Sequence, residues 1–222
     1  MPLPAAALPH VEDSPRWMRA RLGAEVAVDS KRARLLYEAG RLPRLFFPED
    51  DVRFDIVPGT SIERLEDVPG LDGYVHVDWN AMDEWFEEDE PAFGHVRDPY
   101  HRLDARRTSR HVRVLIDGET VVDSTRAVAL FETGLPTRWY LPPEDVRMDL
   151  LDRSGVRTTC AYKGHADHLS HPGEPNIAWT YDEAAPEVAP IEGLICFYDE
   201  WVDVEVDGEP QERPATPFKR LG

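Results

Sequence analysis

Apolar and polar residues alternate along much of this chain. In His111-Val112-Arg113-Val114-Leu115-Ile116 the apolar side chains recur at nearly every second position, the spacing that places them on one face of a β-strand. Asp117-Gly118 follows directly, a pair that favours a tight hairpin because glycine tolerates positive φ. Residues 119–122 read as the returning strand. The same pattern predicts strands at 127–131, 137–141, 156–160, 177–181, 194–198 and 202–206, with Asp207-Gly208 turning a second hairpin. Pro142-Pro143-Glu144-Asp145 breaks a strand and begins one helical turn. Helical spacing is scarce. Residues 80–88 are one candidate, with the acidic run from Asp83 to Glu90 as its solvated face and Trp85 and Phe86 turned inward. Residues 12–22 are a second.

The pattern also repeats. Residues 17–55, slid by 94 positions, lie without a gap on 111–149, and about sixteen of thirty-nine positions are identical. Val28-Asp29-Ser30 meets Val122-Asp123-Ser124, Leu36-Tyr37-Glu38 meets Leu130-Phe131-Glu132, and Arg44 and Pro48 meet Arg138 and Pro142. A second block pairs Gly73-Tyr74-Val75-His76-Val77 with Gly193-Leu194-Ile195-Cys196-Phe197, and Trp85 with Trp201 after a small shift. Between the blocks the second copy carries about 26 extra residues, roughly 155–182, as duplicated units do when one gains or loses a segment. The expected organisation is an N-terminal tail at 1–15, a degenerate first module at 16–92, a linker at 93–109 and a complete second module at 110–218. The two modules would pack as an intramolecular pseudo-dimer.

Composition narrows the function. The formal net charge is −18, so the surface repels phosphates on average and nucleic acid is an unsuitable partner. The one basic stretch, His101 to Arg113, has no aromatic residues among its arginines and reads as a solvated connector. No apolar run is long enough to span a membrane, and residues 1–15 hold four prolines and no basic segment, unlike a signal peptide. Two cysteines are too few for a disulfide framework, which points to the cytoplasm.

Several runs carry a family resemblance. They are Asp-Ser-Thr-Arg at 123–126, Leu-Phe-Glu-Thr-Gly-Leu-Pro-Thr-Arg-Trp-Tyr-Leu-Pro-Pro-Glu-Asp-Val-Arg at 130–147, Cys-Ala-Tyr-Lys-Gly at 160–164 and Ala-Trp-Thr-Tyr at 178–181. They resemble domain-of-unknown-function family 427, which is sometimes labelled a nucleotidyltransferase domain. The resemblance implies a mainly β fold: two tandem modules of coiled β-sheets like the Mss4, methionine-sulfoxide-reductase-B and β-tent folds, with little helix. It implies no established activity. Two positions depart from the family pattern, Ala161 where proline is usual and His168-Leu169 where an aromatic pair is usual. Relatives of such folds often hold zinc with paired Cys-x-x-Cys motifs, and two cysteines exclude a tetrathiolate site by counting. No Gly-rich phosphate loop or Asp-x-Asp pair for Mg²⁺ supports the nucleotidyltransferase label, and no cofactor is called for.

Chemistry is sought where the copies differ. Lys163, flanked by Tyr162 and close to Cys160, could lose solvation and act as a base or nucleophile, and its charge would favour a thiolate at Cys160. Against this, Cys160 and Tyr162 could simply pack while Lys163 reaches solvent. Arg138, Tyr140, Trp179, Tyr181 and Glu132 would line a ligand site, the aromatics stacking on a flat or cationic molecule; the alternative is that these aromatics pack in the core. Glu132 and Arg138 would form an ion pair, one that Glu38 and Arg44 repeat in the first copy. His165, His168 and His171 are weak metal candidates in what reads as a polar loop before Pro172-Gly173. The leading expectation is a protein that binds or acts on a small organic molecule at a pocket framed by Tyr162, Lys163, Trp179 and Arg138. The alternatives are a non-catalytic interaction module with an acidic surface and a metal-dependent hydrolase.

Overall fold

The computed structural model describes residues 8–219 and 221. Residues 1–7 of the expected tail lie outside the described residues. The chain divides into two compact units, Met1–Tyr100 and His101–Gly222. Both are mainly β, and their strands pair antiparallel.

The first unit contains β1 (His10–Asp13), β2 (Met18–Leu22), β3 (Glu25–Ser30), β4 (Arg34–Tyr37), β5 (Arg44–Pro48), β6 (Ile62–Glu63), β7 (Tyr74–Val77), β8 (Glu84–Glu87) and β9 (Glu90–Ala92). They form a five-stranded sheet, β1-β4-β5-β7-β6, and a four-stranded sheet, β3-β2-β8-β9. The second unit contains β10 (Leu103–Arg107), β11 (Val112–Ile116), β12 (Glu119–Ser124), β13 (Val128–Glu132), β14 (Arg138–Leu141), β15 (Asp152–Cys160), β16 (Gly164–His171), β17 (Glu174–Thr180), β18 (Ile195–Phe197), β19 (Asp203–Val206) and β20 (Glu209–Pro210). Its sheets are seven-stranded, β10-β13-β14-β18-β17-β16-β15, and four-stranded, β12-β11-β19-β20.

The duplication is visible in this order. β1, β4, β5 and β7 correspond to β10, β13, β14 and β18, and β6 stands at the place of β17. Among the described residues the first unit has no strand beyond β6 at that edge, whereas the second continues into β16 and β15. In each unit the two sheets share an apolar core. Val112, Val114 and Ile116 of β11 are buried with Ala129, Trp139, Leu141 and Phe197 in the second. Met18, Ala20, Phe47 and Trp85 do the same in the first. Both Asp-Gly pairs turn hairpins, with positive φ at Asp117 and Gly118 and again at Asp207 and Gly208.

Three expectations are corrected. Residues 80–88 are no helix: a 3₁₀ turn, Trp79–Ala81, leads into the β8–β9 hairpin. Trp85 faces the core opposite Ala20. The acidic side chains are tied down locally, with Asp83 accepting from the Gly23 amide, Glu87 from Arg16, Glu88 from the Trp17 amide and Asp89 from Arg19. Residues 12–22 are β1, a break at Ser14-Pro15, and β2, because Met18 and Ala20 alternate inward as strand residues do. The stretch read as a connector holds β10, whose Leu103 and Ala105 pack inward while Arg106 and Arg107 stay out. Among the described residues no helix is long and apolar enough to cross a membrane.

Candidate functional site

Five residues stand directly opposite one another across the seven-stranded sheet. They are Val128 on β13, Tyr140 on β14, Cys196 on β18, Trp179 on β17 and His168 on β16. Residues paired in this way point to one face. The opposite face, with Ala129, Trp139, Leu141 and Ile195, packs on the four-stranded sheet. The row therefore belongs to the other face, where Leu130, Tyr181 and residues of the 3₁₀ segment Pro186–Ile191 join it.

This sheet curls over that face. Lys163, in the turn between β15 and β16 at one edge, reaches across to Glu132 on β13, next to the opposite edge. The Lys163 ammonium donates to Glu132 Oε2, and His101 Nε2 lies 2.9 Å from Glu132 Oε1. The Glu132 and Lys163 side chains are only 5% and 11% exposed. Tyr162 stacks on His101 with ring centroids 4.2 Å apart. One carboxylate thus holds a lysine on one oxygen and a histidine on the other.

A second polar set surrounds Arg138. Its guanidinium forks onto Glu200 at 2.9 and 2.6 Å, with Asp199 at 3.6 Å, and Thr216 donates to the same Glu200 carboxylate. Burial, with Glu200 nearby, pushes the Asp199 carboxyl up to about 7 against the pull of Arg138. Burial also opposes the Glu200 charge, yet hydrogen bonds from Arg138 and Thr216 hold that carboxyl below its ordinary value. Trp179 lies under Arg138 at 5.7 Å, donates to the Tyr140 hydroxyl at 3.2 Å and packs on Tyr198 at 4.4 Å.

The sequence-derived residues thus fall into two sets. Tyr162 and Lys163 meet Glu132, while Trp179 and Tyr140 meet Arg138. Tyr140, Trp179 and Tyr181 are 0%, 7% and 5% exposed and form part of a packed cluster. Burial raises the phenol values of Tyr140 and Tyr181 well above their ordinary range and pushes the Cys196 thiol up. The expected Glu132–Arg138 ion pair does not form. Its counterpart in the first unit does: Arg44 binds Glu38 at 2.8 Å and Glu63 at 2.6 Å. In the second unit Lys163, which the first copy lacks, captures the glutamate, and Asp199 and Glu200 capture the arginine.

Cys160 is half-buried at the end of β15, whereas Cys196 is wholly buried. The histidines read as a loop lie on strand β16. His165 meets Thr159 at 2.9 Å, His168 meets Thr158 at 2.9 Å, and His171 faces the Pro172 carbonyl at 3.2 Å. Positions 165 and 168 fall on opposite faces of the strand. Among the described residues no three His, Cys, Asp or Glu side chains gather as a metal ion requires. His168 is buried, its value is lowered by desolvation, and its Nδ1 has no hydrogen-bond partner among the described residues.

The sequence did not single out His101, Asp199 or Glu200. His101 sat in an apparent connector. Asp199-Glu200 follows the Cys-Phe-Tyr strand directly, which was the one available signal. An open groove of about 780 Å³ lies at the other end of β13 and β14, and none of the candidate site residues read from the sequence lines it.

The fold and site define a mainly β protein of two tandem units, with buried charge concentrated in the second. The model of the family described as Domain of unknown function (DUF427) matches residues 10–84 and again 104–208, and the chain belongs to that family as a tandem copy. No curated protein matches the chain.

Proposed function

We propose that the second unit binds a small polar organic molecule at the Glu132–Lys163–His101 cluster and that the first unit has no such site. The exchange of ion-pair partners between the copies carries this reading. A chain that needed only stability could have kept the partly exposed glutamate–arginine pair of the first unit, whose side chains are 28% and 19% exposed. The second instead buries both charges against separate partners, an arrangement that costs desolvation and gains little stability. Tyr162 stacked on His101, and a buried His168 with an unpartnered nitrogen, supply further polar handles on the same half of the chain. Asp83, Glu87, Glu88 and Asp89 of the acidic run are engaged by residues of β2 and its flanks, which favours the small-molecule reading over an acidic partner-binding surface.

A thermal-shift screen with organic acids, amines and nucleosides tests it. Stabilising molecules should lose their effect in Glu132→Gln and Lys163→Met and keep it in Arg44→Ala. The proposal ends if every stabilising molecule keeps its full effect in both Glu132→Gln and Lys163→Met.

A further inference from the structure

The groove at the lower end of β13 and β14 is lined by Arg107, Ser109, Val128, Pro142, Pro190 and Leu194, among others. Its origin can be read from the other copy. In the first unit Asp13 of β1 stands opposite Arg34 of β4. The Arg34 guanidinium bonds Asp13 at 3.0 Å, donates to the Gly70 carbonyl and lies over the Tyr74 ring at 4.5 Å. One arginine side chain therefore fills that corner and is neutralised there.

The second unit has changed every member of this group. The 94-residue offset that relates the copies takes Asp13 to Arg107 and Arg34 to Val128, and these two again stand opposite each other in the ladder. The offset of the later block takes Gly70 to Pro190 and Tyr74 to Leu194. All four replacements line the groove. The plugging arginine has become a valine, which leaves space. The aspartate has become an arginine, which reverses the charge at that position of a wall that also carries Glu192, itself bonded to the Ala184 amide. Among the described residues Arg107 forms no ion pair, although the chain carries a net charge of −18 and its neighbour Arg106 is bound to Asp104.

We propose that this groove is a second binding site and takes a small organic carboxylate with an apolar body. Arg107 replaces the lost internal ion pair with one made to the ligand, its planar fork matching a carboxylate. Ser109 lines the same groove, and Val128, Pro142, Pro190 and Leu194 cover the apolar portion. Arg126, also on the wall, is already held by Asp145 at 2.6 Å. One free guanidinium in an acidic protein suits a monoanion better than a phosphate.

Sodium hexanoate, sodium acetate and inorganic phosphate, titrated into the isotope-labelled full chain, test this through the amide signals of Thr108, Ser109 and Leu194. Hexanoate should shift them saturably, acetate more weakly and phosphate not at all. Arg107→Ala should weaken hexanoate by roughly tenfold or more, the loss of one charge-assisted pair, and Arg107→Lys should weaken it less. The double exchange Arg107→Asp with Val128→Arg rebuilds the plug of the first unit. It should abolish binding while the rest of the amide spectrum stays folded. The proposal is overturned if hexanoate gives no saturable shift, if Arg107→Ala binds it as the native chain does, or if phosphate binds more tightly. Lys163 does not line the groove, so these outcomes are independent of the Glu132 site.

Discussion

Lys163 donates its ammonium to Glu132 across the mouth of a curled sheet, although 31 residues separate them in the chain. The pair joins the turn of the segment unique to the second copy to a strand that both copies possess.

Lys163→Met leaves Glu132 buried with His101 as its remaining partner. The second unit should lose about 3–5 kcal/mol, as buried pairs do when one member is removed. Lys163→Met with Glu132→Leu should recover most of that loss. Urea unfolding followed by tryptophan fluorescence measures both. A single variant as stable as the native chain would show that the pair is not buried in solution.

Asp199 gives a pH dependence of definite sign. Its folded value is raised to about 7, above the ordinary aspartate value. Folding therefore favours the protonated carboxyl, and this group's contribution to stability falls as pH rises from about 4 to about 7. Asp199→Asn should remove the penalty. It should raise Tm by a few degrees at pH 8, on the order of 2–4 °C per kcal/mol, and change it little at pH 4. An equal shift at both pH values would refute the assignment.

The two thiols should differ in access. Cys160 is half-exposed and Cys196 is wholly buried, and burial pushes the Cys196 thiol up. A chromogenic thiol reagent should label Cys160 in the native protein and reach Cys196 only on unfolding. Cys160→Ser should abolish the native-state reaction. Fast native labelling of Cys196 would contradict the packing described.

Gly164 follows Lys163 with φ +99°, and an added Cβ would lie 3.1 Å from the Glu183 carbonyl. Gly164→Ala should destabilise the second unit by about 1–3 kcal/mol through backbone strain. It should also displace the turn that presents Lys163, weakening any ligand of the Glu132 site. Retention of both stability and ligand response would show that the turn tolerates the change.

Local pattern revealed much of the fold and little of the site. Strands β11, β14 and β19 were legible because apolar residues set their rhythm, and Asp117-Gly118 and Asp207-Gly208 marked the hairpins. β16 was hidden because its inward positions include Ala166 and His168, so an apolar count misses them. β10 was hidden because Leu103 and Ala105 are its only apolar residues. The repeat located the segment that carries Lys163. It misled about Glu132 and Arg138, since homology carried over a pairing that the second unit abandoned. Arg138 finds Glu200 from 62 residues away, a distance over which periodicity is silent.

The two-residue strand β6 has a consequence for solubility. A sheet that ends in a long, flat strand offers a row of free amides and carbonyls to any passing chain. Where the second unit continues into further strands, the first stops at Ile62 and Glu63, with the Glu63 carboxylate clasped by Arg44. That stub is too short and too charged to template another molecule, so the abbreviated copy guards itself against aggregation at the place where it lost, or never gained, its extra strands.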